Sequence, residues 1–301
     1  MPVDIRATAK QILFNILRAR AINGLLRRLR KLLLLLLPES MVGRIPVVGQ
    51  VKVCMPDSVV VLLESDGTDS LASNLYWSGS QAFEPETIDL YMHLLRHASI
   101  VFDVGAYTGL YTLLAAAERR DRTVHAFEPV PKTYEALVRN VEVNNLDNVH
   151  PVWAAVGDFD GETRLYIPQS TTLPFTASIK KGFRKVQEST IVPVLTIDAY
   201  VEAHGVPCVD LIKIDTEGTE HQVLQGARTV LERDGPLVIC EVLKGLTENL
   251  LHALFDGTSY RYFHITKEGL VQKEVIEGDE HYTERNFLLI PEDRIQSVLQ
   301  G

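Results

Sequence analysis

The sequence predicts a doubly wound α/β fold, a mostly parallel sheet with helices on both faces. Three stretches predict it. Residues 100–102 are an apolar run that turns through Asp103, Gly105 and Gly109 into a helix with Leu110, Leu113, Leu114 and Ala117 on one face. Residues 123–127 form a second apolar run, closed by Glu128 nineteen residues beyond Gly109. Residues 209–214 form a third, interrupted by Asp210 and Lys213 and closed by Asp215. Apolar strands that alternate with amphipathic helices build βαβ units.

The elements follow in order. Residues 5–37 carry Ile12, Leu13, Ile16, Leu17, Leu25, Leu26 and Leu29 interleaved with Arg18, Arg20, Arg27, Arg28, Arg30 and Lys31, which predicts a basic amphipathic helix. The uncharged run 32–37 is too short to span a bilayer and stops at Pro38. This arm is expected to pack on the protein or on a second subunit, with an anionic membrane surface as the alternative. Residues 51–53 and 59–63 predict a hairpin with Pro56 in its turn. Pro85 opens a helix with Ile88, Tyr91, Met92 and Leu95 on one face. Beyond Glu128, Pro131 opens another, ended by Asn144 and Asn145. Residues 149–156 are expected to be one strand. Residues 158–192 exceed a simple crossover and hold two strands, 163–167 and 189–194, around a polar stretch. A helix begins at Thr196, and one further helix, with Val223, Leu224, Ala227, Val230 and Leu231 apolar, follows Asp215. Residues 237–240 are a strand closed by Glu241, and strands at 260–266 and 286–290 predict a late antiparallel hairpin at the sheet edge. The expected organisation is an arm (1–45), a hairpin-and-helix leader (46–98), a ligand-binding domain (99–292) and a tail (293–301).

The 301 residues are 46% hydrophobic and 23% charged, enough for a large core. Three scattered cysteines, Cys54, Cys208 and Cys240, have neither metal nor disulfide spacing and suit a reducing, cytoplasmic compartment, with the arm placing the protein at the inner face of a membrane in the alternative reading. The net charge of −9 divides unevenly: residues 1–44 hold nine Lys/Arg against two acids, so the remainder carries −16. An acidic body argues against nucleic acid as a partner.

Ligands of open α/β sheets bind outside the carboxyl ends of the strands. Asp103, Glu128, Asp215 and Glu241 all stand at such ends, and packing does not explain four acids on one rim. The turn's glycines let backbone approach a ligand, and the helix start offers N–H groups to a polar or anionic part of it. An acid in the place of Glu128 accepts hydrogen bonds from ribose hydroxyls, which predicts an adenosine-containing cofactor. A dinucleotide fingerprint fails, because Asp103 and Thr108 stand where glycines are required, and no Walker A run occurs. Asp103 would complement an ammonium or sulfonium and repel a pyrophosphate.

The runs Asp103-Val-Gly-Ala-Tyr-Thr-Gly109, His125-Ala-Phe-Glu-Pro129, Ile212-Lys-Ile-Asp-Thr-Glu-Gly-Thr-Glu220 and Val223-Leu-Gln-Gly-Ala227 resemble the FkbM family of S-adenosylmethionine-dependent methyltransferases, and Phe83-Glu84-Pro85 resembles its lead-in. The likeness covers roughly residues 76–243. It implies a Rossmann-like class I methyltransferase fold with a mostly parallel seven-stranded sheet and a reversed last strand. It also implies S-adenosylmethionine held by Asp103, Gly105, Ala106, Tyr107, Thr108, Gly109, Glu128, Pro129 and Ala155. The methyl acceptor it implies is a hydroxyl of a sugar, glycolipid or natural product. The family usually has Asn where this chain has Tyr107.

A hydroxyl needs its proton taken before it attacks. Asp215 is the expected base or orienting acid, with Lys213 and Glu241 adjusting its charge. A divalent metal held by Asp215, Glu217 or Glu241 is a second, less favoured mechanism. An NAD-dependent sugar-modifying enzyme and a non-catalytic, membrane-associated scaffold stand as the rival readings. Nothing in the sequence specifies the acceptor or the oligomeric state.

Overall fold

A computed structural model describes residues 5–55, 58–168, 172–174, 177–179 and 186–299. The arm is three helices rather than one: Ile5–Arg18 (α1), Arg20–Arg28 (α2) and Arg30–Leu36 (α3). The chain breaks at Ala19, whose backbone is extended, and at Leu29. A short helix, Glu39–Val42 (α4), leads to the hairpin Val48–Cys54 (β1) and Val60–Asp66 (β2), paired antiparallel from Val48 with Asp66 to Cys54 with Val60. Pro56 of its expected turn lies outside the described residues. A helix that periodicity does not reveal follows at Ser70–Ser78 (α5); Asp69 caps it by accepting a hydrogen bond from the Ala72 amide at 3.1 Å. Pro85–Leu95 (α6) starts at its proline as expected.

The nucleotide-type core then alternates: Ile100–Val104 (β3), Leu110–Glu118 (α7), Thr123–Phe127 (β4), Pro131–Val143 (α8) and Val149–Val152 (β5). Ala155–Val156 (β6), Gly161–Pro168 (β7) and Val186–Leu195 (β8) form a separate three-stranded sheet in the order β6-β8-β7. The expected single strand over 149–156 is therefore two, divided at Trp153, which is exposed and donates its indole N–H to the Pro129 carbonyl. Part of the polar stretch between β7 and β8 lies outside the described residues. Ile197–His204 (α9) is capped by Thr196, and Leu211–Ile214 (β9) follows. The next helix is broken in two, Glu220–Gln225 (α10) and Arg228–Asp234 (α11), at Gly226, where a Cβ would run into the Gly157 carbonyl. Leu237–Glu241 (β10), Glu248–Phe255 (α12), Tyr260–Thr266 (β11), Gly269–Lys273 (β12), Asn286–Pro291 (β13) and Ile295–Leu299 (α13) complete the chain.

The large sheet has eight strands in the order β12-β11-β13-β10-β9-β3-β4-β5. Neighbours from β10 to β5 pair parallel, and β13 pairs antiparallel with both β10 and β11. Seven of these strands are the expected set with its reversed last strand. Two details differ. β12 adds an eighth strand, and β13 lies between β10 and β11 rather than at the edge. Every residue of β9 and β10 is buried, as parallel strands covered on both faces require. Successive residues serve opposite faces: Val101 packs with Leu113, Leu114 and Leu288, while Phe102 packs with Ile212, Leu224 and Phe287. Each such fully buried aliphatic side chain contributes about 1.5–3 kcal/mol.

The leader is tied to this sheet through α8. Asn144 donates to the Leu62 carbonyl (2.7 Å) and accepts from the Leu62 amide (2.8 Å), and Asn140 accepts from the Glu64 amide (2.7 Å). Two asparagine side chains thus cover the free edge of β2.

Candidate active site

The site is built from the ends of β3, β4, β9 and β10. Apolar strand interiors bury each backbone up to its last residue, so the next polar side chain emerges on the rim. The turn after β3 holds Gly105 at φ +80°. A Cβ there would collide with the Asp215 carbonyl oxygen, so this glycine serves a close approach of two strand ends rather than of a ligand. Gly109, at φ +96°, caps α7, and a Cβ on it would meet Leu137 at 2.5 Å. The turn's amides are also committed inside the protein. Gly105 and Ala106 donate to the Phe127 carbonyl (3.0 Å each), Tyr107 donates to Glu128 Oε2 (2.9 Å), and Gly109 donates to the Ala106 carbonyl (2.9 Å). These four amides are therefore not free to hold a ligand group.

A cavity of about 350 Å³ lies above these strand ends. Asp103, Gly105, Ala106, Tyr107, Glu128, Pro129, Ala155, Lys213, Asp215, Glu217 and Glu241 line it, as expected of a shared site. Thr108 and Gly109 do not. Thr108 is fully buried, and its carbonyl accepts from Asn140 at 2.7 Å. Glu84, Tyr111 and Arg285 are among the further residues that line it. Glu84 carried a signal, its place before a helix proline. Arg285 had none, because only the pairing of β13 with β10, Asn286 opposite Glu241, brings it to the rim.

Charge is densely coupled here. Lys213 Nζ lies 3.6 Å from Asp215 Oδ2 and 4.9 Å from the centre of the Tyr111 ring. Burial opposes its charge, but Asp215, Glu84, Asp103 and Glu241 together hold its pKa above the ordinary value, so Lys213 is a cation and not a base. Arg285 Nη1 pairs with Glu241 Oε1 at 2.6 Å and Arg285 Nη2 with Glu84 Oε1 at 3.5 Å, while the Tyr111 hydroxyl donates to Glu84 Oε2 at 2.7 Å. Burial, reinforced by Asp215, pushes the Glu241 carboxyl well up despite Arg285. Burial raises Asp103 to about 6, against the hydrogen bond from the Thr112 hydroxyl at 2.5 Å. Burial raises Glu128 to about 8, against the amides of Val130 and Tyr107 that donate to it.

Asp215, Glu217 and Glu241 each offer an oxygen within 4.8 Å of the others, and Glu241 Oε2 has no hydrogen-bond partner among the described residues. Such an oxygen set suits a hard divalent ion in its chemistry, although Arg285 already occupies Glu241 Oε1. Three non-glycine residues with left-handed backbone line the same cavity: Glu84 (φ 41°), Tyr107 (φ 52°) and Glu217 (φ 57°). Strain of this kind concentrates at functional sites. It also accounts for the usual Asn at position 107, a residue that tolerates this conformation better than tyrosine. A wider groove lies between the arm and the body and meets the cavity at Val130 and Pro174.

A parallel sheet with a reversed last strand, and an acid-lined cavity over its carboxyl ends, define a class I methyltransferase fold. The model of the FkbM methyltransferase domain matches residues 103–262, over half of the chain, and the chain belongs to that family. Among curated relatives it is 30% identical over 162 residues to the 31-O-demethyl-FK506 methyltransferase FkbM of Streptomyces tacrolimicus, covering 44% of this chain and 60% of that one. It is 27% identical over 165 residues to the hexuronic acid methyltransferase AglP of Haloferax volcanii, covering 54% of this chain and 64% of that one. The matches thus span about three-fifths of these relatives' length. A solved methyltransferase FkbM from Methylobacillus flagellatus superposes with a TM-score of 0.43 at 16% identity, over 64% of this chain and 44% of that one.

Proposed function

We propose that this protein transfers a methyl group from S-adenosylmethionine to a hydroxyl of a sugar, glycolipid or natural product. The observation that carries the reading is the charge of the cavity. Glu84, Asp103, Glu128, Asp215, Glu217 and Glu241 line it, against Lys213 and Arg285 among the described residues; burial holds protons on Glu128 and Glu241, and the other four acids still outnumber the two cations. A field of that sign favours a ligand with ammonium and sulfonium charges and opposes the pyrophosphate of NAD. The volume falls at the lower end of ordinary ligand pockets. The named substrates of the two relatives, 31-O-demethyl-FK506 and a hexuronic acid, support a hydroxyl-bearing acceptor.

Glu128 would accept from the ribose hydroxyls, Asp103 would face the ammonium end, and Pro129, Ala155 and Tyr107 would flank the remainder. The cofactor supplies a methyl group on a sulfonium that leaves as a neutral thioether. Asp215 would take the proton of the acceptor hydroxyl and so leave that hydroxyl's oxygen nucleophilic. Asp215 is the group to do so because its side chain keeps 29% exposure while Lys213 beside it keeps 1%. Lys213, held cationic, positions the Asp215 carboxylate, and Arg285 bridges Glu241 and Glu84 behind it. The wider groove that meets the cavity supports an acceptor with a bulky remainder.

Thermal unfolding with S-adenosylmethionine, S-adenosylhomocysteine and NAD side by side tests the reading. A rise with the first two alone is the expected result, and a rise with NAD alone or with none overturns it. A further rise with Mg²⁺ would bring in the oxygen set of Asp215, Glu217 and Glu241.

A further inference from the structure

The arm docks with part of its basic side turned inward. Arg18, Arg27 and Arg30 face the body, and Leu26, Leu33 and Leu37 are partly buried against the core. Arg18 donates to the Asp66 carbonyl (2.9 Å) and pairs with its carboxylate (3.1 Å). Arg27 donates to the carbonyls of Val48 (2.7 Å) and Gln50 (2.8 Å), and Arg30 to those of Tyr76 (3.0 Å) and Trp77 (3.2 Å). Both guanidinium groups also lie over the Tyr76 ring. Asn23, 1% exposed, bridges to Pro46 and Val48. These contacts fix which face of the arm is left outside.

That outer face is apolar. Ile12, Leu13 and Ile16 are exposed on α1, and Leu25, Leu29, Leu32 and Leu36 recur at three- and four-residue spacing along α2 and α3. Leu35 beside them is 81% exposed. Lys10, Arg20, Arg28 and Lys31 are exposed around this stripe, and residues 5–38 contain no acid at all. No helix among the described residues is long and apolar enough to cross a membrane.

From this exposed apolar stripe and the cations that flank it we infer that the arm seats the protein on an anionic lipid surface, with the leucine and isoleucine stripe in the acyl boundary and Lys10, Arg20, Arg28 and Lys31 among the headgroups. Charge decides for lipid over a second copy of the chain. A second copy would bring its own acid-free cationic arm against this one, whereas anionic headgroups neutralise it. The same charge sets orientation, because the body beyond residue 44 carries −16 and is repelled by the surface that attracts the arm. This inference does not rest on the catalytic reading.

The test is flotation of the full chain with vesicles of phosphatidylcholine alone or mixed with phosphatidylglycerol, at low and high salt. Binding at least tenfold tighter to the anionic vesicles, weakened by salt, is expected. A variant with Arg20→Glu, Arg28→Glu and Lys31→Glu, and another with Leu32→Ser, Leu35→Ser and Leu36→Ser, should each lose at least tenfold. All six side chains are exposed, so unchanged thermal unfolding confirms that both variants remain folded. No binding to either vesicle, equal binding to both, or a serine variant that binds like the parent overturns the inference. A dimer in light scattering that the serine variant converts to monomer would assign the face to self-association and overturn it as well.

Discussion

The rim of the large sheet and the N-terminal arm handle charge in opposite ways. At the rim, β9 and β10 bury every residue and release carboxylates only at their ends, where Lys213 and Arg285 couple them. In the arm, Arg18, Arg27 and Arg30 reach inward to backbone carbonyls and Asp66, and a stripe of leucines stays outside although Leu26, Leu33 and Leu37 pack inward. The difference lies in what each region rests against. The sheet is closed on both faces by helices, so apolar side chains have somewhere to go. The arm meets hairpin and helix ends whose spare carbonyls need donors, and guanidinium groups supply several in one plane. Hydrophobic pattern therefore places a residue inside only where the neighbour is itself apolar.

The comparison breaks first at the rim. Asp215→Ala should lower turnover by roughly 10²–10⁴-fold, the usual worth of a positioned base, while the cofactor-induced thermal shift survives. Turnover within a few-fold of the parent would remove Asp215 from the mechanism. Gly105→Ala comes next. It adds a Cβ against the Asp215 carbonyl at a left-handed position, and should cost about 3 kcal/mol or more in chemical denaturation. A variant as stable as the parent would show that the two strand ends can separate without penalty.

Glu128→Gln should weaken S-adenosylmethionine by roughly 10- to 100-fold, the scale of a charge-assisted hydrogen bond. The pH dependence gives a sharper reading. Burial raises the Glu128 pKa from 4.5 to about 8, so the folded state holds this proton more tightly than the unfolded chain. The group therefore favours folding below pH 4.5, and this contribution is lost as the pH rises to about 8. Ribose hydroxyls donate to the ionised form, so cofactor affinity should increase across the same window. In Glu128→Gln both slopes should flatten; unchanged slopes would locate the titration elsewhere.

Much of the rim was legible because strand alternation and an acid at each strand end are local signals. The mostly parallel sheet followed from them, and its reversed last strand from the family likeness. What stayed hidden depends on pairing across the chain. Arg285 reaches Glu241 only through the β10–β13 register, and β12 joins the sheet through a short run with no buried residue. Helix α5 was within reach, since Asp69-Ser70 is an ordinary cap, but its periodicity is obscured by burial on several sides. The direction in which the arm docks has no local signature, because Asn23 and Arg27 look like solvent-facing residues until their carbonyl partners are in place.

Asn23→Ala sharpens the comparison on the arm. It strips a donor from the Leu17 and Pro46 carbonyls and an acceptor from the Val48 amide, and should cost about 1–3 kcal/mol of arm docking. Faster tryptic cleavage around Arg18 and Arg20, with cofactor-induced stabilisation of the body intact, would register it. Unchanged cleavage would mean that the arginines and the inward-packed leucines hold the arm without Asn23.

The smallest effect is the most discriminating between the two regions. Leu35 is 81% exposed and Leu113 is fully buried, although both are helical leucines. Leu35→Ser should change stability by about 0.5 kcal/mol or less, against about 2–5 kcal/mol for Leu113→Ala. A near-silent Leu35→Ser in solution means that folding does not require a leucine there. A larger loss would mean that the arm folds back to bury this face in solution, and the contrast between an apolar-inward sheet and an apolar-outward arm would then fail.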